Sequence, residues 1–263
     1  MMPSSALHVA RTGLEAQDQR MRVIANNLAN VGTTGFKRDR ANFATLAYQD
    51  ARVAGTQSST ETAYATGLNL GTGVGLQSTT RVETQGTLQT TGNALDLALD
   101  GDGFFQVSLP GGQPGYTRAG NFTRSAEGQL VTAQGYAVQP AITVPEGASA
   151  ITVAGDGTVS ATLQGQAEPV ALGQITLASF ANPAGLKAGG DNFLTETAAS
   201  GQAQVGPAGQ NGRGNIKQGM LEASNVNVVE ELVDMIEAQR AYEINSKMIA
   251  AVDEMLKNAN QTL

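Results

Sequence analysis

Hydrophobic residues recur at intervals of seven near the start of the chain. Leu7, Leu14, Met21 and Leu28 hold one register, and Ala10, Gln17, Ile24 and Val31 follow each by three. Only Gln17 interrupts an a/d stripe, so the pattern predicts an amphipathic N-terminal helix. Ser4 or Ser5 can cap its start, and Gly32 stands where a left-handed C-terminal residue is wanted. The same spacing returns at the other end, where Val228, Met235, Tyr242, Ile249, Leu256 and Leu263 are all apolar. Val229, Leu232, Ile236, Val252 and Ala259 widen that stripe, and Asn225 or Asn227 can cap it. A helix from about 226 to 260 would run ~50 Å at 1.5 Å per residue. That is long for a globular domain and natural for a coiled coil or a bundle between subunits. Each stripe needs a partner: the other helix, other subunits, or both. A plain intramolecular hairpin packed on the middle of the chain is the simpler alternative.

The middle alternates with period two. GFFQVSL (103–109), YTRAGNFTR (116–124), VALGQITLASF (170–180) and FLTET (193–197) read as strands. AITVAGDGTVSATL (150–163) reads as a hairpin turning at Asp156-Gly157. This spacing suits an antiparallel sandwich or barrel. The stretch 47–74 is rich in Ser, Thr, Gly and Ala and poor in large apolar residues, so in isolation it should be extended and loosely ordered.

Composition sharpens the division. Of 32 glycines, only Gly13, Gly32 and Gly35 precede residue 41, and neither Gly nor Pro follows Gly219. Helical ends and a turn-rich β middle follow from that distribution. The net charge of −7 argues against a general nucleic-acid binder. It is unevenly spread: residues 1–40 carry six bases and three acids, residues 221–263 three bases and eight acids. Opposite charge would favour association of the two ends, although ordinary solvated helix faces give the same counts. No apolar run reaches 18 residues, and the first residues lack the basic and apolar regions of a cleaved secretory signal. There is no cysteine, and His8 is the single histidine, which sets aside thiolate chemistry, a Ser-His-Asp triad and a multi-histidine metal site.

Candidate ligand motifs fail on spacing. GTTGFK (32–37) has two residues between its glycines where a phosphate loop needs four. GTTG also matches an RNA-clamping loop, but in the wrong context. GLNLGTGVG (67–75) has no strand before it or helix after it. Asp96, Asp100 and Asp102 do not keep calcium-loop spacing. Glu230, Glu231, Asp234 and Glu237 read as a solvated helix face or as partners for the basic N-terminal segment. No nucleophile, base and oxyanion donor come together.

Two motifs remain. ANNLANVGTTGFKR (25–38) and SNVNVVEELVDMIEAQRAYEINSKMI (224–249) resemble the terminal signatures of the bacterial flagellar rod and hook (axial) proteins. GDGFFQV (101–107) and YTRAGNF (116–122) resemble the family's core, and the likeness covers essentially the whole chain. Gly32 departs from it, where many relatives have a second Asn. Length and the 47–74 stretch are most similar to rod members that carry an extended stretch after the first helix; hook members are typically longer.

The resemblance implies a non-enzymatic, α+β, multi-domain subunit with no cofactor, metal, nucleic acid or small-molecule substrate. The expected layout is an N-terminal coiled-coil helix (1–34), a connecting arm (35–74), a β-rich outer domain (75–220) and a C-terminal coiled-coil helix (221–263). The two helices are expected to form a coiled-coil layer, the C-terminal one innermost. Leu7, Leu14, Met21, Ile24, Leu28, Val228, Leu232, Met235, Tyr242, Ile249 and Leu256 are its expected subunit-interface residues. Asn26, Asn27 and Asn30 are expected to fix register, and Gly32, Gly35 and Phe36 to form a hinge, with Lys37, Arg38 and Arg40 meeting acidic neighbours. Implied partners are copies of the chain in a helical homopolymer, proximal rod proteins, the hook protein, bushing-ring proteins and the export apparatus. The implied location is the periplasm-spanning basal-body rod, reached without a cleaved signal peptide. The alternatives are a proximal rod or hook-type axial subunit, or a β-rich trimeric adhesin or phage-tail fibre.

Overall fold

The computed structural model describes residues 3–57, 64–164 and 168–261, with side chains from 6 to 258. The proposed caps Ser4 and Ser5, the stripe residues Ala259 and Leu263, and 58–63 of the 47–74 stretch lie outside the described residues or side chains. The chain groups into two compact units. One holds Met1–Leu28, Asp39–Thr80 and Asn227–Leu263; the other holds Ala29–Arg38 and Arg81–Val226. The division therefore falls at the last residue of the first helix, after Arg38, after Thr80 and just before the last helix.

The first unit contains both long helices, α1 (Pro3–Ala29) and α2 (Val228–Gln261). At 34 residues, α2 runs about 51 Å. Its start is capped by Asn227, whose side-chain oxygen accepts from the Val229 N–H at 3.1 Å. The helices meet antiparallel. Arg20 pairs with Asp234 at 2.8 Å, Asn27 hydrogen-bonds Glu231, and a Cβ on Gly13 would touch Asn245 at 3.0 Å. The stretch from 47 to 74 carries an antiparallel ribbon. Tyr48–Arg52 pairs with Leu68–Gly71 in the register Tyr48↔Gly71 and Gln49↔Leu70. Composition understated this segment because backbone pairing supplies order that its side chains do not. The ribbon is tied to α1 at Thr12, whose hydroxyl accepts from the Val74 N–H at 3.4 Å. Gly73 lies so close to Thr12 that any side chain there would overlap its hydroxyl.

The second unit is β-rich and mostly antiparallel. Its largest sheet has six strands in the order Lys187–Gly190, Phe193–Thr195, Pro114–Thr117, Phe104–Ser108, Thr176–Ser179, Gln204–Pro207. Its core packs Phe105 edge-on to Phe122 at 5.1 Å, with Leu97, Leu99, Val138, Ile175 and Leu177 fully buried around them. A three-stranded sheet contains the expected hairpin, Ala148–Val153 with Thr158–Leu163, turning at Asp156-Gly157. Asp156 accepts from the Thr158 N–H, and Gly157 has φ +92°. The apolar run 170–180 is two strands rather than one. Val170–Gln174 joins the small sheet and Thr176–Ser179 the large one, with Ile175 fully buried between them.

Candidate assembly surface and anchoring cluster

The two heptad stripes do not form one buried seam within the chain. On α1, Ala10, Ala16 and Ile24 are buried, while Leu7, Leu14, Met21 and Leu28 are half-buried. On α2 the buried positions are Glu231 and Ala238; Met235, Ile249 and Leu256 are half-buried. Val228, Leu232 and Tyr242 are exposed. Small residues at the contact let two helices approach closely, and a single partner covers only a narrow strip of α2. A second apolar face stays open: Val229, Val233, Ile236, Ile244, Met248 and Met255 are between 48% and 70% exposed. Spacings of three, four, seven and eight put them on one side of the helix.

The asparagines differ in environment. Asn27 is 1% exposed; its amide donates to the Asp39 carbonyl at 2.9 Å and to both Glu231 carboxylate oxygens at 3.2 Å, while its oxygen accepts from the Asp39 N–H. It thus joins α1, the strand Asp39–Thr45 and α2 within the first unit. Asn30 accepts from the Thr33 hydroxyl at 3.2 Å, and Asn26 is exposed.

Gly32 is not the left-handed stop. Its φ is not positive and nothing would lie within 4 Å of a Cβ there. The helix ends at Ala29, and a turn in which the Thr33 N–H donates to the Asn30 carbonyl releases the chain. The left-handed residue is Gly35, at φ +67°, where a Cβ would stand 2.6 Å from the Arg118 carbonyl carbon. The Gly35 N–H donates to the Glu222 carbonyl at 2.7 Å, and half-buried Phe36 accepts from the Asn225 N–H.

Beside Gly35, within the second unit, lies a buried charge cluster. The Lys37 ammonium donates to Glu222 at 2.5 Å and to the Thr84 carbonyl at 2.7 Å. Glu222, fully buried, also accepts from the Gly86 N–H at 2.9 Å and faces Arg118 at 3.5 Å. Arg118 donates to the Gly101 carbonyl at 2.8 Å. Burial holds Lys37 below the ordinary lysine range, opposed by the hydrogen bond and charge of Glu222. Glu83 lines a small cavity with Gly35, Lys37 and Arg118, and neither of its oxygens accepts a protein hydrogen bond. Burial pushes its carboxyl up, against the pull of Arg81, Lys37 and Arg118. Asn225 braces the edge, accepting from the Arg38 N–H and donating to the carbonyls of Val82 and Thr84.

Sequence reasoning missed Glu222, Arg118 and Asn225 as a set. The available signal was a lone glutamate inside the short apolar strand GMLEA, matched to a lysine straight after a Gly-Phe turn.

Comparisons with known proteins agree across the chain. Residues 7–37 match the model of the flagella basal body rod protein, residues 98–161 that of the flagellar hook protein FlgE/F/G D1 domain, and residues 217–262 that of the flagellar basal body rod FlgEFG protein C-terminal. The chain is 51% identical over 261 residues to the flagellar basal-body rod protein FlgG of Buchnera aphidicola subsp. Acyrthosiphon pisum, covering 99% of this chain and 100% of that one. It is 48% identical to FlgG of Caulobacter vibrioides, over 97% of this chain and 98% of the relative. Identity to the basal-body rod protein FlgF of the same organism is 34%, over 98% of each.

Proposed function

The chain belongs to the flagellar basal-body rod protein family, and we propose that it is the structural subunit of the distal rod. Copies polymerise into a straight, rigid helical tube that carries motor torque across the periplasm to the hook and encloses the export channel. The greater identity to FlgG than to FlgF of one organism supports the distal assignment over other axial subunits.

One observation carries the assembly reading: the open apolar face of α2. Exposed patches of this kind mark interaction surfaces. Val229 is 70% exposed, and Ile244 and Met255 are each 62% exposed. Burying each against neighbours would contribute roughly 1–2 kcal/mol. On this reading α1 and α2 build a coiled-coil layer with neighbouring subunits, α2 innermost. The interface draws on Leu7, Leu14, Met21 and Leu28 of the first helix, with Ile24 buried beneath them, and on Val228, Leu232, Met235, Tyr242, Ile249 and Leu256 of the second. Asn26, Asn27 and Asn30 set register, and Gly35 and Phe36, after the Asn30–Thr33 turn, lead the chain out of the helix. The ribbon, with Tyr48 61%, Val53 58% and Leu68 46% exposed, braces adjacent copies. The family supports proximal rod proteins, the hook protein, bushing-ring proteins and the export apparatus as further partners, with export in an unfolded state and without a cleaved signal.

Electron microscopy of the purified protein at rising concentration tests this. Open tubes are the expected result; closed trimers would replace the reading with that of a fibre. Removing residues 50–66 should leave a folded chain whose polymer is curved or flexible. Straight, stiff tubes from that deletion would remove the bracing role.

A further inference from the structure

The second unit opens with Ala29–Arg38 and closes with the strands just before Val226. Asn215–Gln218 pairs with Leu97–Asp100, and Met220–Glu222 pairs with Leu88–Thr90. These late strands cover a run, Leu97 to Leu99, that is at most 1% exposed. They also supply polar partners that the earlier chain lacks. The Gly35 N–H needs the Glu222 carbonyl, the Gly86 N–H needs the Glu222 carboxylate, and the Thr87 and Asp96 carbonyls accept from Ala223 and Gly219. Above all, Glu222 is the carboxylate hydrogen-bonded to Lys37 and the one facing Arg118. Those two cations are 3% and 5% exposed. Without Glu222 the hydrogen-bond acceptors left to them are the Thr84 and Gly101 carbonyls, and the nearby Glu83 carboxylate accepts a hydrogen bond from neither. That penalty is of the same order as the whole stability of a domain.

We infer that folding of the second unit is conditional on its last strand: residues 81–214 stay open until Glu222 docks, and the unit then closes in a single step. Late residues often complete a fold; here the condition is sharpened by charge, because burial of Lys37 and Arg118 is unfavourable until their acceptor arrives. During synthesis Glu222 appears after nearly all the rest of the unit, so the unit stays threadable until its last strand is made. That use rests on the exported-subunit reading above; the folding step itself does not.

The test uses the full chain, unfolded in guanidinium and diluted, with pulsed hydrogen exchange read by mass spectrometry. Peptides from 97–108, 114–118 and 176–179 are expected to gain protection in the same kinetic phase as 215–222. Protection of the central sheet in an earlier phase, while 215–222 still exchanges, would overturn the inference. Glu222→Gln is expected to lower the folded-to-unfolded ratio of the whole unit by about 100-fold or more. A loss confined to peptides 215–222 would also overturn it. If Glu222→Gln does not fold at all, the Lys37→Met/Arg118→Met/Glu222→Gln triple variant decides. Recovery of folding supports the charge condition, since buried ions removed together are often nearly neutral. A triple variant as defective as the single one refutes it. A single folding phase in a chain that cells retain would leave this inference standing and remove the export reading.

Discussion

Gly35 and Gly32 stand three residues apart in one motif, and the structure gives them opposite sensitivity to a methyl group. In Gly35→Ala, the residue must hold φ near +67°, a left-handed backbone that costs an L-residue about 1–2 kcal/mol. The added Cβ would lie 2.6 Å from the Arg118 carbonyl carbon, well inside the ~3.5–4.0 Å at which carbon atoms pack. The contact is with backbone, so no rotamer change relieves it. Parting the two segments stretches the 2.7 Å bond from the Gly35 N–H to the Glu222 carbonyl, worth about 1 kcal/mol. The expected loss is therefore roughly 3 kcal/mol from the second unit. In Gly32→Ala, φ is not positive and no atom would lie within 4 Å, so stability should change by less than about 1 kcal/mol and in the favourable direction. Guanidinium unfolding followed by near-UV dichroism measures both, with an unchanged slope for each. If Gly35→Ala were as stable as Gly32→Ala, the left-handed turn and the close approach to Arg118 would both be refuted.

Three further outcomes follow from the same geometry. Glu83 has a folded pKa raised by burial, so the native state binds its proton more tightly and stability is lost as pH rises towards that folded value. Glu83→Gln should raise the unfolding midpoint at pH 8, with the gain shrinking as pH falls into the ordinary carboxylate range; a gain independent of pH would contradict this. Asn27→Asp sets a carboxylate about 3.2 Å from both Glu231 oxygens and should cost the first unit about 2–4 kcal/mol, partly recovered near pH 4 in a thermal melt. Ile244→Lys changes an exposed helix position, so monomer stability should move by less than about 0.5 kcal/mol while sedimentation shows polymerisation abolished.

The terminal helices were legible because helical periodicity is local: apolar residues at sevens and the lack of Gly and Pro after Gly219 specify α2 whatever it packs on. Asp156-Gly157 was legible for a similar reason, since a two-residue turn carries its own backbone requirement. Less was visible where order comes from pairing. Tyr48–Arg52 and Leu68–Gly71 have little apolar content, yet a backbone ladder joins them. The run 170–180 reads as one strand because period two continues through Ile175, which instead passes the chain from one sheet to the other. The left-handed position fell to Gly35 rather than Gly32 because a helix stop depends on where the chain must go next. At Gly35 that is under the Arg118 backbone, 83 residues further along the chain.

By itself the sequence determined the two helices, the antiparallel β middle and the family signatures at either end, since each rests on neighbours within a few residues. Tertiary structure alone decided which charges are buried and which apolar face stays open. Lys37 is an ordinary basic residue until Glu222, Arg118 and Thr84 converge on it from three distant stretches. Likewise the stripe on α2 became two faces, because one antiparallel partner covers only a narrow strip of a helix surface and the remainder stays open.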